Sequence, residues 1–144
     1  MTVEYALERI QKIAVVGGGL MGHGVAQFFA QAGYPVAMVN RTAESSARAM
    51  ARGLDLFVEE GLSTRAEADA ALGRIRPVRD LVEAVHDADF VTEAVVDDLE
   101  LKQKIFREMD AAAPAHAILA SETSGLRMTD ISRDTARTER CVTT

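Results

Sequence analysis

Apolar positions along the chain follow two rhythms. Short, mainly apolar runs at Lys12–Val16, Tyr34–Val39, Phe90–Val95 and Ile118–Ala120 have the length of strands buried on both faces. Between them, apolar residues recur at helical spacing over Leu20–Ala32, Glu44–Glu60 and Leu99–Ala112. In the second of these, Ala47, Met50, Leu54, Phe57 and Val58 share one face. Punctuation fits the same plan: Gly33 and Gly61 follow two helices, and Pro114 follows the third. Thr64 and Glu67 have the spacing of a capping box for a further helix that Gly73 ends. Ile75–Val78 reads as a brief strand, Asp80–Val85 as a short helix, and Val142 as the start of one more strand.

Strands alternating with helices predict an α/β fold, doubly wound, with a mainly parallel sheet and helices on both faces. At 144 residues the chain suits a single domain, 1–144, with no internal repeat or low-complexity linker. The helical pair between Glu44 and Gly73 is an insertion beyond a minimal βαβ plan, large enough to roof a ligand cleft.

Composition narrows the function. Hydrophobic residues at 48% and charged ones at 26% are the balance of an ordinary soluble domain. A net charge of −6 argues against a nucleic-acid partner. Cys141 stands alone, so neither an internal disulfide nor a metal site is expected. Met1–Tyr5 lacks a signal-peptide pattern and no apolar run reaches membrane-spanning length, so the expectation is a cytoplasmic protein with no membrane partner.

Chemistry concentrates first at Gly17-Gly18-Gly19-Leu20-Met21-Gly22. A lone G-x-G-x-x-G is weak, but this one leaves a predicted strand and opens a predicted helix, the context of a Rossmann-type dinucleotide site. Gly17 permits the sharp turn, Gly19 lets backbone approach a pyrophosphate, and Gly22 lets helix and strand pack closely. The helix start, with Leu20 and Met21, offers unpaired N–H groups and a partial positive charge to phosphates. The turn after the second strand reads Asn40-Arg41-Thr42, where NAD folds usually carry an acid for the ribose. Asn40 removes the carboxylate that would repel a 2′-phosphate, and Arg41 supplies a planar donor fork for one, which favours NADP over NAD. The alternative is that Asn40 bonds the ribose while Arg41 faces solvent and Thr42 caps the next helix.

Three blocks together are specific. Ile13 through Gly24, Asp89 through Asp97 (Asp-Phe-Val-Thr-Glu-Ala-Val-Val-Asp) and Ile118 through Ser124 (Ile-Leu-Ala-Ser-Glu-Thr-Ser) resemble the 3-hydroxyacyl-CoA dehydrogenase family, in its order. The resemblance implies the NAD-binding domain of an oxidoreductase that moves a hydride between NAD(P) and a 3-hydroxyacyl-CoA or related 3-hydroxy acid. It implies that Asp97 lies beside the nicotinamide, that Lys102 contacts the cofactor, and that the backbone at Ser121 passes the nicotinamide. It gives Ser124 the catalytic task of hydrogen-bonding the substrate oxygen. Glu122 stands where the family usually has Asn, so an uncharged amide is replaced by an acid. By family spacing, the proton-transfer histidine belongs to a segment just beyond Thr144, so the chain alone is expected to bind cofactor and catalyse little. The helical C-terminal domain, with most of the acyl pocket and of the homodimer contacts, is likewise expected beyond it. His86 and His116 precede strands and should sit at the far sheet edge, and His23 lies near the pyrophosphate. Other readings are a free-standing dinucleotide-sensing module, or the cofactor domain of a carnitine, sugar-acid, β-hydroxyacid or imine-reducing enzyme.

Overall fold

The computed structural model describes residues 9–40 and 43–144. Met1–Tyr5, Arg41 and Thr42 lie outside the described residues, as does the side chain of Ala47. The chain runs β1 (Ile13–Val16), α1 (Leu20–Gln31), β2 (Val36–Val39), α2 (Ala43–Glu59), α3 (Arg65–Arg74), β3 (Ile75–Val78) and α4 (Leu81–Val85). It continues through β4 (Phe90–Glu93), α5 (Leu99–Ala112), β5 (Ile118–Ser121), α6 (Met128–Ile131), a 3₁₀ turn at Thr138–Arg140 and β6 (Cys141–Thr143).

The strands form one sheet in the order β3-β2-β1-β4-β5-β6, with every neighbouring pair parallel. This is the doubly wound Rossmann order, and the direction of winding reverses between β1 and β4. Strand alternation splits β1 between two cores. Ile13 and Val15 pack with Ala26, Ala30, Met50, Leu54 and Ala71 on one face, while Ala14 and Val16 pack with Val91, Phe106, Met109 and Leu119 on the other. Each fully buried aliphatic side chain contributes about 2 kcal/mol, so these strands need no polar face.

Local chemistry sets the element ends. Gly33, at φ 99°, closes α1 in a Schellman motif: its N–H bonds the Ala30 carbonyl and that of Tyr34 bonds Phe29. Tyr34 and Pro35 are consequently part of the exit turn, and β2 starts later than its apolar run. Gly61 repeats the device after α2. The Thr64–Glu67 capping box forms in both directions, though α3 runs one residue past Gly73. Asp80 and Asp98 cap α4 and α5 through the N–H groups of Glu83 and Leu101. Ala113 is extended before Pro114, which stops α5. Pro77 is tolerated in β3 because that strand is an edge. The α6 helix and the turn before β6 were not foreseen. Arg137 anchors this segment by donating to Asp110 and to the carbonyls of Asp110, Ala113 and Pro114 at the end of α5.

Candidate functional site: a two-part crevice at the carboxyl ends of the strands

The reversal point opens a crevice beyond the carboxyl ends of β1 and β4, where ligands bind in open α/β sheets. Its first part, about 680 Å³, is lined by Gly17–Gly19, Val39, Asn40, Ala94–Val96, Leu101 and Ile105. The second, about 370 Å³, is lined by Met21, Ala94, Val95, Asp97, Glu122–Ser124 and Thr144. Ala94 and Val95 belong to both, so the two parts are contiguous. Neither part has a described lining residue from α2 or α3. That helical pair packs against α1 and the outer half of the sheet, through Met50, Leu54, Ala68 and Ala71, instead of roofing the crevice.

Three glycines shape the loop between the two parts in different ways. Gly17 has φ 124°, and a Cβ there would stand 2.8 Å from the Ala94 carbonyl oxygen. A Cβ on Gly22 would stand 1.9 Å from the Gly17 carbonyl oxygen, so loop and helix touch backbone to backbone. Around Gly19 a Cβ would meet nothing within 4 Å, which leaves backbone open to a ligand. Gly19 also caps α1 without a side-chain hydrogen bond, and the first turn carries no acid. Its N–H groups and the helix dipole thus face the crevice without a competing carboxylate. These features fit a pyrophosphate. Leu20 is almost fully exposed beside them.

Asn40 is nearly buried, and its N–H donates to the Val78 carbonyl. Its side-chain amide lies over the loop, since a Cβ on Gly18 would come within 2.4 Å of it. Arg41, expected beside it, lies outside the described residues.

Behind the wall between the two parts sits a buried charged cluster. Lys102 and Glu93 are both 0% exposed. The Lys102 Nζ donates to Glu93 Oε1 and Oε2 at 2.7 and 2.9 Å, and lies 3.5 Å from Asp97 Oδ1. Ser121 Oγ donates to Glu93 Oε2 at 2.7 Å, and the Val95 N–H donates to Glu93 Oε1 at 2.6 Å. Lys102, which the resemblance sets against the cofactor, meets Glu93 inside the wall. With no exposed surface, its ammonium holds Glu93 and supports the crevice wall from behind. Nor does it pair with Asp98, whose carboxylate caps α5. The Ser121 side chain is equally enclosed, and its carbonyl accepts the Thr144 N–H.

Sequence reasoning missed Glu93 as the hub. A signal was present: Lys102 falls on one helical stripe with Ile105, Phe106 and Met109, and a lysine there requires a buried counter-charge. Asp97 and Ser124 do reach the second part, with Asp97 about half exposed and Ser124 exposed. Thr123 Oγ1 accepts from the Leu126 N–H and fixes the loop that carries Ser124. Glu122 was read only as a departure, yet it lines the same space and accepts from Thr144 Oγ1 at 3.0 Å.

Among the described residues, no histidine lines either part of the crevice. His86 closes α4 and shares a hydrogen bond with the Glu83 carbonyl; His116 shares one with Asp89 at the amino ends of the strands. Burial pushes the His23 imidazole below its usual range.

Comparison with known proteins places this geometry in a lineage. Residues 12–144 match the family described as "3-hydroxyacyl-CoA dehydrogenase, NAD binding domain". Mitochondrial hydroxyacyl-coenzyme A dehydrogenase of Rattus norvegicus is 35% identical over 140 residues, covering 91% of this chain and 44% of the relative. The peroxisomal fatty acid beta-oxidation multifunctional protein MFP2 of Arabidopsis thaliana is 33% identical over 137 residues, with 93% of this chain and 19% of that protein covered. The crystal structure of (S)-3-hydroxybutyryl-CoA dehydrogenase from Ralstonia eutropha superposes with a TM-score of 0.86 at 30% identity, over 93% of this chain and 48% of that one. The chain thus spans less than half the length of these relatives. With its glycine loop, reversal-point crevice and family match in agreement, the chain belongs to the 3-hydroxyacyl-CoA dehydrogenase family, as its NAD-binding domain.

Proposed function

We propose that this chain holds a nicotinamide dinucleotide stretched across the two-part crevice. In the intact protein, that cofactor serves hydride transfer to or from a 3-hydroxyacyl-CoA or a related 3-hydroxy acid. The observation that carries this reading is the continuity of the two parts on either side of an uncapped, open helix start. The adenosine half belongs with Asn40, because the turn after β2 reads the ribose. The pyrophosphate lies over Gly17, Gly19, Leu20, Met21 and Gly22, and the nicotinamide half falls beside Asp97 and the Ser121–Ser124 loop. When bound, the cofactor supplies the hydride chemistry. Ser124 orients the substrate oxygen, and Ser121 and Lys102 act through Glu93 to keep the wall in place. Proton exchange falls to a histidine, as the family resemblance implies.

For cofactor choice we favour NADP. Asn40 presents an amide, not a carboxylate, to the first part of the crevice, and Arg41 follows it in sequence. Calorimetric titration with NADPH and with NADH tests both levels of the reading. Tighter NADPH binding is expected; tighter NADH binding would return the chain to NAD, and no binding of either would overturn the dinucleotide site itself. We further propose a cytoplasmic homodimer for the intact protein.

A further inference from the structure

The nicotinamide half of the crevice carries more negative charge than its architecture requires. Asp97 and Glu122 both line it, and no described lining residue is a lysine or arginine. The nearest buried cation, Lys102, is committed to Glu93 at 2.7 and 2.9 Å and reaches Asp97 only at 3.5 Å. Glu93 and Asp97 share that ammonium, while the Glu122 carboxylate, on the crevice surface, bonds the Thr144 hydroxyl instead. Glu122 is also held in place. Its N–H donates to the Glu93 carbonyl at 2.8 Å, its carbonyl accepts from Lys102 at 3.4 Å, and its Oε1 accepts from Thr144 at 3.0 Å. A fixed charge acts without reorganising when a ligand arrives.

Resting on the dinucleotide reading above, we propose that Glu122 makes this crevice discriminate between the redox forms of its cofactor, holding the oxidised form more tightly. The oxidised nicotinamide is a cation and the reduced ring is neutral, while the adenosine, ribose and pyrophosphate parts are the same in both. Every other contact therefore nearly cancels in the ratio of the two affinities, and the local charge remains. Where the family resemblance places a neutral Asn, Glu122 adds a full negative charge. Because the residue is only half-buried, solvent screens the interaction, and the expected bias is about fivefold per charge.

The test is calorimetric titration of the whole chain with NADP⁺, NADPH, NAD⁺, NADH and ADP-ribose, comparing wild type with Glu122→Gln and Glu122→Asn. Both variants should lose about fivefold of the preference for the oxidised form, while ADP-ribose affinity, which reads the adenosine half, stays unchanged. An unchanged oxidised-to-reduced ratio in variants that still bind ADP-ribose would overturn the role of Glu122 and leave the dinucleotide reading standing. If wild type bound none of the five ligands, the dinucleotide reading would fall first. Should the variants not fold, wild type alone decides. Its preference should shrink as salt rises from about 20 to about 500 mM, and a salt-independent preference would refute the charge argument.

Discussion

Lys102 occupies a position that helical spacing assigns to the core, three and four residues before Ile105 and Phe106. A primary amine there is tolerated because Glu93, two residues along β4 from Val91, faces the same side of the sheet and meets it. Removing one partner strands the other in a dry interior, at a cost of about 3–5 kcal/mol. Lys102→Met should therefore lower stability by about 3 kcal/mol in urea unfolding. Adding Glu93→Gln to the same chain should cost much less than the two single changes summed. A wild-type urea midpoint for Lys102→Met would show that the pair is not a stabilising contact. This pairing also marks a limit of legibility. Read along the chain, Lys102 has Asp98 at helical distance, and only the packing of α5 on β4 reveals Glu93 as its partner. The positions of Gly17, Gly19, Asn40, Asp97 and Ser124 along the crevice were legible because each depends on local order, a strand end followed by a turn.

At the scale of elements, the β1–loop–α1 unit separates glycines that keep the fold from the one that leaves room for a ligand. Gly22 touches the Gly17 carbonyl, so Gly22→Ala must push backbone against backbone. It should cost about 3 kcal/mol of stability and lower nucleotide affinity with it. Gly19 has an ordinary φ of −81° and open space around it, so Gly19→Ala should cost about 1 kcal/mol or less. Its methyl group would nevertheless stand where a pyrophosphate must approach, and affinity should fall by at least about tenfold. Thermal melts beside titrations check the pair; equal losses of stability in both variants would sink the distinction. The long elements were readable because each repeats its pattern over several turns or a whole buried run. Four-residue α6 repeats nothing, and β2 began late because Gly33 and Tyr34 are used in closing α1.

Across the whole molecule, the crevice lies at one end of the sheet and a separate clamp at the other. Asp89 Oδ2 accepts the N–H groups of Gln11 and Lys12 just before β1, its Oδ1 meets His116 before β5, and its carbonyl accepts the Ile118 N–H. One carboxylate thus ties the entries of β1 and β5 to that of β4, and Arg140, before β6, joins them by donating to the His116 carbonyl. Burial pushes the Asp89 carboxyl up, but the hydrogen bonds from His116, Gln11 and Lys12 outweigh it and hold the group below its ordinary value of 3.8. A carboxyl depressed on folding stabilises the native state above its unfolded pKa and loses that contribution as pH falls through the folded one. Asp89→Asn keeps the shape and removes the charge. At pH 7 it should cost about 2 kcal/mol, and the gap to wild type should close as pH drops below about 3.8. Because the clamp is at the amino ends of the strands, dinucleotide affinity at neutral pH should be the same in both proteins. Denaturant melts across a pH series, beside one titration at pH 7, check this division. A stability gap that persisted unchanged into acid would mean that Asp89 acts through shape and not through its charge. A loss of affinity would mean that the two ends of the sheet are coupled.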